Sequence, residues 1–186
     1  MSMPAMVPHY TAEEIRHFPD DRLRYEVIRG ELFVTPAPGT RHQRAVLELA
    51  RILASFVERH GLGEAIVAPY EVELADDTAV QPDVLVILGD RTAQLTPERL
   101  QGPPSLAVEV ISYSSKRTDR LQKRALYMEV GVEEYWVVDC DQRHVERWRP
   151  GANAPDIRTD ALAWHPRPDV PPLTIDLPTI FRRVWR

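Results

Sequence analysis

The chain has 186 residues and 44% hydrophobic residues, enough for one compact domain over residues 1–186 with a substantial core. Its net charge of −5 excludes a globally basic protein that coats nucleic acid, but leaves room for an enzyme with a local basic groove. One cysteine excludes an internal disulfide, and the lack of any long apolar run argues against a signal peptide or membrane span. We therefore expect a cytoplasmic protein.

The first third of the chain predicts a short helix, a hairpin and a long helix. Residues 8–18 contain the capping-box sequence T-A-E-E, which is typical of a helix start. Residues 23–35 alternate around an Arg-Gly turn and read as a β-hairpin. Residues 41–60 have their apolar side chains on one helical face. His42 opens that face as a core or capping residue, unless the helix start faces carboxylates.

The middle of the chain reads as strands and a connecting loop. Residues 65–74 predict one strand and residues 80–88 the next. Residues 89–102 form a loop, with a helical turn expected at 97–100. The continuous apolar run at 106–112 suits a central strand that is buried on both faces.

A second helix is predicted at residues 118–130, and it carries an unusual lysine. Lys123 lies three, four and seven positions before Leu126, Tyr127 and Val130, which form an apolar stripe along the helix. The spacing of this stripe predicts an apolar residue at position 123. The only other lysine is Lys116, and the remaining basic residues are arginines. A retained lysine fits a need for a compact ammonium, although chance explains this bias equally well.

The last part of the chain gives weaker signals. Residues 134–139 predict a strand parallel to the one before the helix, through a right-handed crossover. Residues 144–148 suggest one more strand, and residues 151–172 are proline-rich and expected to be mostly irregular. Residues 173–186 are expected to pack back on the core. Cys140 reads as a small buried residue rather than a nucleophile, and the four tryptophans read as core residues.

Two carboxylates on apolar strands indicate where chemistry could occur. Asp83 opens one apolar run and Glu109 lies inside the other. A buried carboxylate must be paired, neutralised or bound to a metal. If the strands are neighbours, these acids could hold magnesium, which often needs only one or two protein carboxylates. Such an ion lowers the pKa of bound water, and Lys123 could orient that water.

Each of these residues has a simpler structural interpretation. An aspartate after a proline usually marks a turn, an interior glutamate can pair with an arginine, and a helical lysine usually reaches solvent. The joint arrangement of strand acid, strand acid and helix lysine favours a metal-dependent phosphodiesterase.

Several short motifs, taken in order, carry a family resemblance. The chain resembles the Uma-two family of bacterial putative restriction endonucleases over roughly residues 22 to 150. The motifs are Tyr25–Leu32, the Pro-Ala-Pro…His pattern ending at His42, Gln81-Pro82-Asp83, Val108-Glu109-Val110, Asp119-Arg120…Lys123…Tyr127, and Gly131-Val132…Glu134–Asp139.

The resemblance implies an α/β fold of the PD-(D/E)XK nuclease superfamily. Its mixed sheet would belong to an αβββαβ core, with an N-terminal β-hairpin before it and a C-terminal extension at 151–186. The core would comprise helix 41–60, three strands, helix 118–130 and strand 134–139.

The resemblance also implies roles for individual residues. Asp83 and Glu109 would be the catalytic acids, and the backbone carbonyl of Val110 would be a further ligand of Mg²⁺ or Mn²⁺. The superfamily lysine should follow Glu109 by two positions, but Ile111 stands there. In this family the lysine would be relocated to the helix, at Lys123.

Two groups of residues complete the predicted site. Glu26 and His42 match family positions without an assigned role, and either complete the site or brace the hairpin against the first long helix. A basic set on and before the second helix would bind DNA phosphates. This set is Lys116, Arg117, Arg120 and Arg124.

The leading hypothesis is a magnesium-dependent endonuclease acting on DNA. The alternative is a catalytically inactive protein of the same fold that binds nucleic acid or protein, which the acidic net charge and Ile111 motivate. A homodimer is also expected, and residues 173–186 could mainly build its interface.

Overall fold

A computed structural model describes residues 8–111 and 118–186, apart from the side chains of residues 90 and 118–120. The helices are α1 Ala12–Arg16, α2 Thr40–Arg59, α3 Arg124–Glu129 and α4 Leu177–Val184, with a 3₁₀ helix at Gly89–Gln94 and a π-helical stretch at Thr118–Lys123. The strands are β1 Leu23–Ile28, β2 Glu31–Pro36, β3 Gly63–Val67, β4 Glu71–Ala75, β5 Thr78–Val80, β6 Val84–Leu88, β7 Arg99–Gln101, β8 Leu106–Val110, β9 Glu134–Asp139, β10 His144–Trp148, β11 Asp156–Arg158, β12 Ala161–Trp164 and β13 Leu173–Asp176.

The strands form two larger sheets and one separate hairpin. The central sheet has the order β11-β10-β9-β8-β6-β3, and the smaller hairpin sheet has the order β2-β1-β5-β4-β7. In the central sheet β8 and β9 are parallel, as the crossover through α3 predicts, whereas β8 pairs with β6 antiparallel. The core order α2, β3, β6, β8, α3, β9 confirms the predicted αβββαβ arrangement with a mixed sheet.

Both faces of the central sheet are covered, because successive side chains on its strands point to opposite sides. On one face, Val84 and Val108 pack in the same cluster as the apolar stripe of α2. On the other face, Leu85 and Ala107 pack in a cluster with residues of the hairpin sheet and α3. Glu109 lies two positions after Ala107 in β8, so its side chain points to the same face of the central sheet, toward the hairpin sheet.

Two segments were each predicted to be a single strand, and both predictions are wrong. Each segment contains a proline, and there the chain passes from one sheet to the other. Residues 65–74 divide into β3 in the central sheet and β4 in the hairpin sheet, with Pro69 between them. Residues 80–88 divide in the same way into β5 and β6, with Pro82 between them. Proline has no amide hydrogen for a β-ladder, so pairing is interrupted at these positions.

Other expectations about local structure are also corrected. The helical turn expected at 97–100 is strand β7, and a 3₁₀ helix occurs earlier in that loop. Residues 151–172 are mostly irregular, as expected, but they also contain the short strands β11 and β12. Arg147 stabilises this segment, because this side chain donates to the Ala163 carbonyl oxygen at 2.7 Å and forms an ion pair with Asp156. Trp185 is 40% exposed rather than part of the core.

The C-terminal segment packs within its own chain. The buried apolar side chains of β13 and α4 join the cluster that contains the α2 stripe. These side chains are therefore covered within the chain, as the expectation that residues 173–186 pack back on the core predicts. A homodimer, through this segment or through another surface, stays a prediction. Among the described residues, every helix is too short or too polar to cross a membrane.

Two leucines on α2 test this packing. Leu53 is completely buried in the cluster beneath α2, whereas Leu47 on the same helix is 67% exposed. Leu53→Ala should lower the free energy of unfolding by about 2–5 kcal/mol, because it removes buried methyl groups and leaves a cavity. Leu47→Ala should change it by less than about 0.5 kcal/mol. Urea denaturation followed by circular dichroism measures both, and equal effects would contradict this packing.

Candidate active site

The inner face of β1 contributes two charged side chains to the interior. Arg24 and Glu26 alternate with residues that pack toward α1, so both point toward the central sheet. Oε1 of Glu26 accepts a hydrogen bond from the Gln81 amide at 2.7 Å, and Nη1 of Arg24 donates to the Gln81 carbonyl oxygen at 3.2 Å. Strand β1 thus binds both the backbone N–H and the carbonyl oxygen of Gln81, in the segment that crosses between the two sheets.

Asp83 enters the central sheet directly after this crossing. Val84 pairs with Val108 in the antiparallel register, so one step further Asp83 stands opposite Glu109. Its Oδ1 accepts from Nη2 of Arg24 at 3.0 Å, and Oδ2 accepts from the Val110 amide at 2.8 Å. Nε2 of His42, from the first turn of α2, lies 2.9 Å from the same Oδ2.

These contacts determine the charge state of Asp83. Burial alone raises the pKa of this carboxyl group, but His42, Arg24 and the Val110 amide more than offset that effect. The pKa of Asp83 is therefore lowered below its usual range. Burial lowers the pKa of Arg24, yet the nearby carboxylates raise it above its usual value. Both groups are charged at neutral pH.

Lys123 links the remaining two carboxylates. Its Nζ lies 2.8 Å from Oε1 of Glu109 and 2.8 Å from Oε1 of Glu26. The hydroxyl of Tyr127, one helical turn later, lies 3.3 Å from the same oxygen of Glu109. Lys123 and Glu109 are each only 2% exposed. Desolvation of such charges is costly, so their mutual pairing is what allows them to remain buried.

The structure brings five sequence-predicted residues into one place. Asp83, Glu109 and Lys123 meet there, and so do Glu26 and His42, whose roles the sequence left open. Together with Arg24 and Tyr127 they form what we call the acid–base cluster. Nδ1 of His42 is buried without a hydrogen-bond partner among the described residues.

Sequence reasoning missed Arg24, although a signal for it was present. Arg24 lies two positions before Glu26, which places both on one face of β1. Simple alternation assigns the apolar Tyr25 and Val27 to the interior and the charged residues to solvent. That rule fails here because β1 is covered on both faces, by α1 on one side and by the central sheet on the other.

Of the predicted DNA-binding set, only the side chain of Arg124 lies among the described residues. Lys116 and Arg117 lie outside the described residues, as does the side chain of Arg120. The guanidinium of Arg124 lies 4.6 Å from the centre of the Trp148 ring and is half-buried. Such a cation–π contact is typical of a packing role.

The oxygen chemistry of the cluster fits a hard divalent cation. The register of β6 with β8, extended by one residue before β6, places Asp83 opposite Glu109. Magnesium commonly takes one or two protein carboxylates together with water. Across residues 8–111 and 118–186, His, Cys, Asp and Glu do not form a group of three or more that could hold an ion. A metal here would therefore take only these two carboxylates, and would share them with Arg24 and Lys123.

Cys140 lies outside the acid–base cluster and is poorly suited to nucleophilic chemistry. Burial, with the charges of Asp139 and Asp141, raises the pKa of its thiol to about 12. The thiolate is the nucleophilic form, so at neutral pH this cysteine is almost entirely unreactive.

Comparison with known proteins identifies the family. A family model described as Uma2, putative restriction endonuclease, matches residues 12–180. The chain belongs to the Uma2 family. This confirms the resemblance seen in the sequence motifs, and it extends the match through the hairpin β12–β13 and into α4. No curated protein matches the chain significantly.

A solved structure supports the same fold. The Uma2 chain is similar to the crystal structure of a putative nuclease belonging to DUF820 from Anabaena variabilis ATCC 29413, with a TM-score of 0.79. The alignment covers 94% of this chain and 99% of that chain at 18% sequence identity. At this identity the likeness establishes the fold, which is that of the predicted nuclease-like α/β core.

The pairing of Lys123 can be tested through stability. Lys123→Met keeps the length of the side chain but leaves Glu26 and Glu109 without their shared cation. Breaking a buried pair in this way should lower the free energy of unfolding by about 3–5 kcal/mol. Arg124→Met is the matched control, because it removes a neighbouring charge and a cation–π contact worth about 0.5–1 kcal/mol. Urea denaturation at neutral pH in a metal-free buffer compares them, and similar losses would contradict the pairing.

Proposed function

We propose that this Uma2 protein is a metal-dependent endonuclease that hydrolyses phosphodiester bonds of DNA at the acid–base cluster. One observation carries the proposal: two carboxylates are buried close together, Asp83 directly before β6 and Glu109 in the neighbouring strand β8, and Lys123 is bonded to Glu109. Membership of a family described as putative restriction endonucleases supports a nuclease. Metal dependence is inferred from the chemistry of the cluster, and DNA as the substrate from the description of the family as putative restriction endonucleases.

Mg²⁺ or Mn²⁺ is the cofactor that this donor set favours. Asp83 and Glu109 would hold the ion, with the backbone carbonyl of Val110 as a further oxygen ligand. When bound, the ion supplies Lewis-acid polarisation of a phosphoryl oxygen and lowers the pKa of water.

The protein's own residues orient the reacting groups. Lys123 places an ammonium between two carboxylates, where it can hydrogen-bond a water molecule and offset negative charge that develops on the phosphate. Tyr127 and Lys123 both contact Glu109 and so fix its carboxylate. Arg24 and the Val110 amide do the same for Asp83. Such preorganisation removes reorganisation that would otherwise add to the barrier.

Plasmid cleavage in the presence of magnesium tests the proposal. The wild-type protein should convert supercoiled plasmid to nicked or linear forms. Asp83→Asn keeps the shape of the side chain and removes its charge, so the rate should fall about a hundredfold or more. Asp169→Asn is the control, because Asp169 is exposed and pairs only with the neighbouring Arg167 among the described residues.

The control variant should retain the wild-type rate, and circular dichroism should show all three proteins folded. Equal cleavage by the wild type and Asp83→Asn would indicate a contaminating nuclease and count against the proposal. Cleavage by neither protein would also count against it.

Metal binding gives a second, independent prediction. Calorimetric titration of the wild-type protein with Mg²⁺ or Mn²⁺ should show binding at millimolar concentration or below. An ion at about one hundred times its Kd should stabilise the fold by about 2.7 kcal/mol. Asp83→Asn should lose both effects, because it removes a proposed ligand. No binding at millimolar metal would favour the catalytically inactive binding protein instead.

A further inference from the structure

A cleft of about 410 Å³ lies directly beside the acid–base cluster. The start of α2, the ends of β8 and β9 and the end of α4 line it. His42 and Val110 belong to both sites: they line the cleft, and each contacts Oδ2 of Asp83. A ligand in the cleft would therefore lie next to the carboxylate that we propose as a metal ligand.

Positive charge dominates the lining of this cleft. Arg41, Arg44 and Arg186 contribute guanidinium groups, whereas Asp141 contributes the one carboxylate side chain among the lining residues. The whole chain carries a net charge of −5, so this surface is locally opposite in sign to the protein. A local basic groove attracts the phosphates of a nucleic acid.

Two of these arginines are held in place by contacts on one side. Arg41 lies 3.7 Å from the centre of the Trp185 ring and donates to Asp141 at 3.0 Å, yet its side chain remains 48% exposed. Nη1 of Arg44 donates to the backbone carbonyl oxygens of Val184 and Arg186. A guanidinium has more N–H donors than these contacts use, so both side chains keep donors for a ligand.

The geometry points to a phosphate-binding cleft for the substrate strand. We propose that the DNA backbone next to the scissile phosphate lies in this cleft, and that Arg41 and Arg44 are positioning residues that contact its phosphates. Arg41 and Arg44 are not members of the predicted DNA-binding set, which lies on and before the second predicted helix. The inference rests on the proposed function for its substrate, but its test needs no cleavage.

Salt-dependent binding provides that test. Fluorescence anisotropy with a short fluorescein-labelled DNA duplex is measured in EDTA, so that the full-length wild-type protein binds without cutting. Each phosphate contact that is lost should reduce the slope of log K against log salt concentration by about 0.9. The double variant Arg41→Ala/Arg44→Ala should therefore bind more weakly at low salt, with a slope reduced by about 2.

Arg51→Ala/Arg59→Ala is the matched control, because it removes the same charge from the same helix. Among their described contacts, Arg51 bonds Glu48 and Arg59 bonds Ser55, and neither residue lines the cleft. This control should keep the wild-type slope. The charge-preserving variant Arg41→Lys/Arg44→Lys should regain most of the slope, which a loss of folding could not explain.

Three results would overturn the inference. The first is an unchanged slope for the double alanine variant, which would mean that the two arginines only stabilise the end of α4. The second is an equal loss in both double variants, which would reduce the effect to net charge. The third is no measurable binding of the wild type at low salt. Failure of plasmid cleavage alone, with the slope change intact, would defeat the nuclease but not the cleft.

Discussion

The ammonium group of Lys123, buried between Glu26 and Glu109, is the contact on which the rest of the site depends. Two carboxylates from different sheets approach one another here, and without a cation between them their repulsion would separate the hairpin sheet from the central sheet. The same ammonium therefore serves two purposes. It neutralises the two buried carboxylates, and in the proposed reaction it would supply a positive charge next to the phosphate.

The second constraint is the crossing at residues 81–83, where the chain passes from one sheet to the other. Pro82 stops the ladder of β5, and Arg24 and Glu26 hold the Gln81 peptide on both sides. Asp83 is therefore held at the start of β6, where the register of β6 with β8, extended by one residue, places it opposite Glu109. The hydrogen bonds that stabilise the crossing therefore also fix the position of Asp83 relative to Glu109.

Sequence patterns predicted those parts of the fold whose periodicity is local. The apolar stripe of α2 and the uninterrupted strand β8 were both evident, because neighbouring residues alone determine them. Lys123 was recognisable for the same reason, as a charge inside an apolar stripe. The split of residues 65–74 and 80–88 was missed, since a change of sheet depends on which strand is available as a partner and not on the residues themselves.

The site was predictable where a charge broke an apolar pattern, and unpredictable where the pattern itself misled. Asp83 and Glu109 interrupt or open hydrophobic runs, so they could be found. Arg24 was missed, although it shares a face of β1 with Glu26, because β1 is covered on both sides and its alternation no longer distinguishes inside from outside. The short strands β11 and β12 depend on Arg147, whose partners are distant enough in sequence to leave no local pattern.

The order of the cluster along the chain has a consequence for biosynthesis. Its hairpin and sheet acids are made early, but the ammonium arrives only at residue 123, on a helix that follows them all. Because a polypeptide emerges from the ribosome N-terminus first, every nascent fragment shorter than this lacks the cation. The acid–base cluster therefore cannot be completed until residue 123 has been synthesised and has left the ribosome.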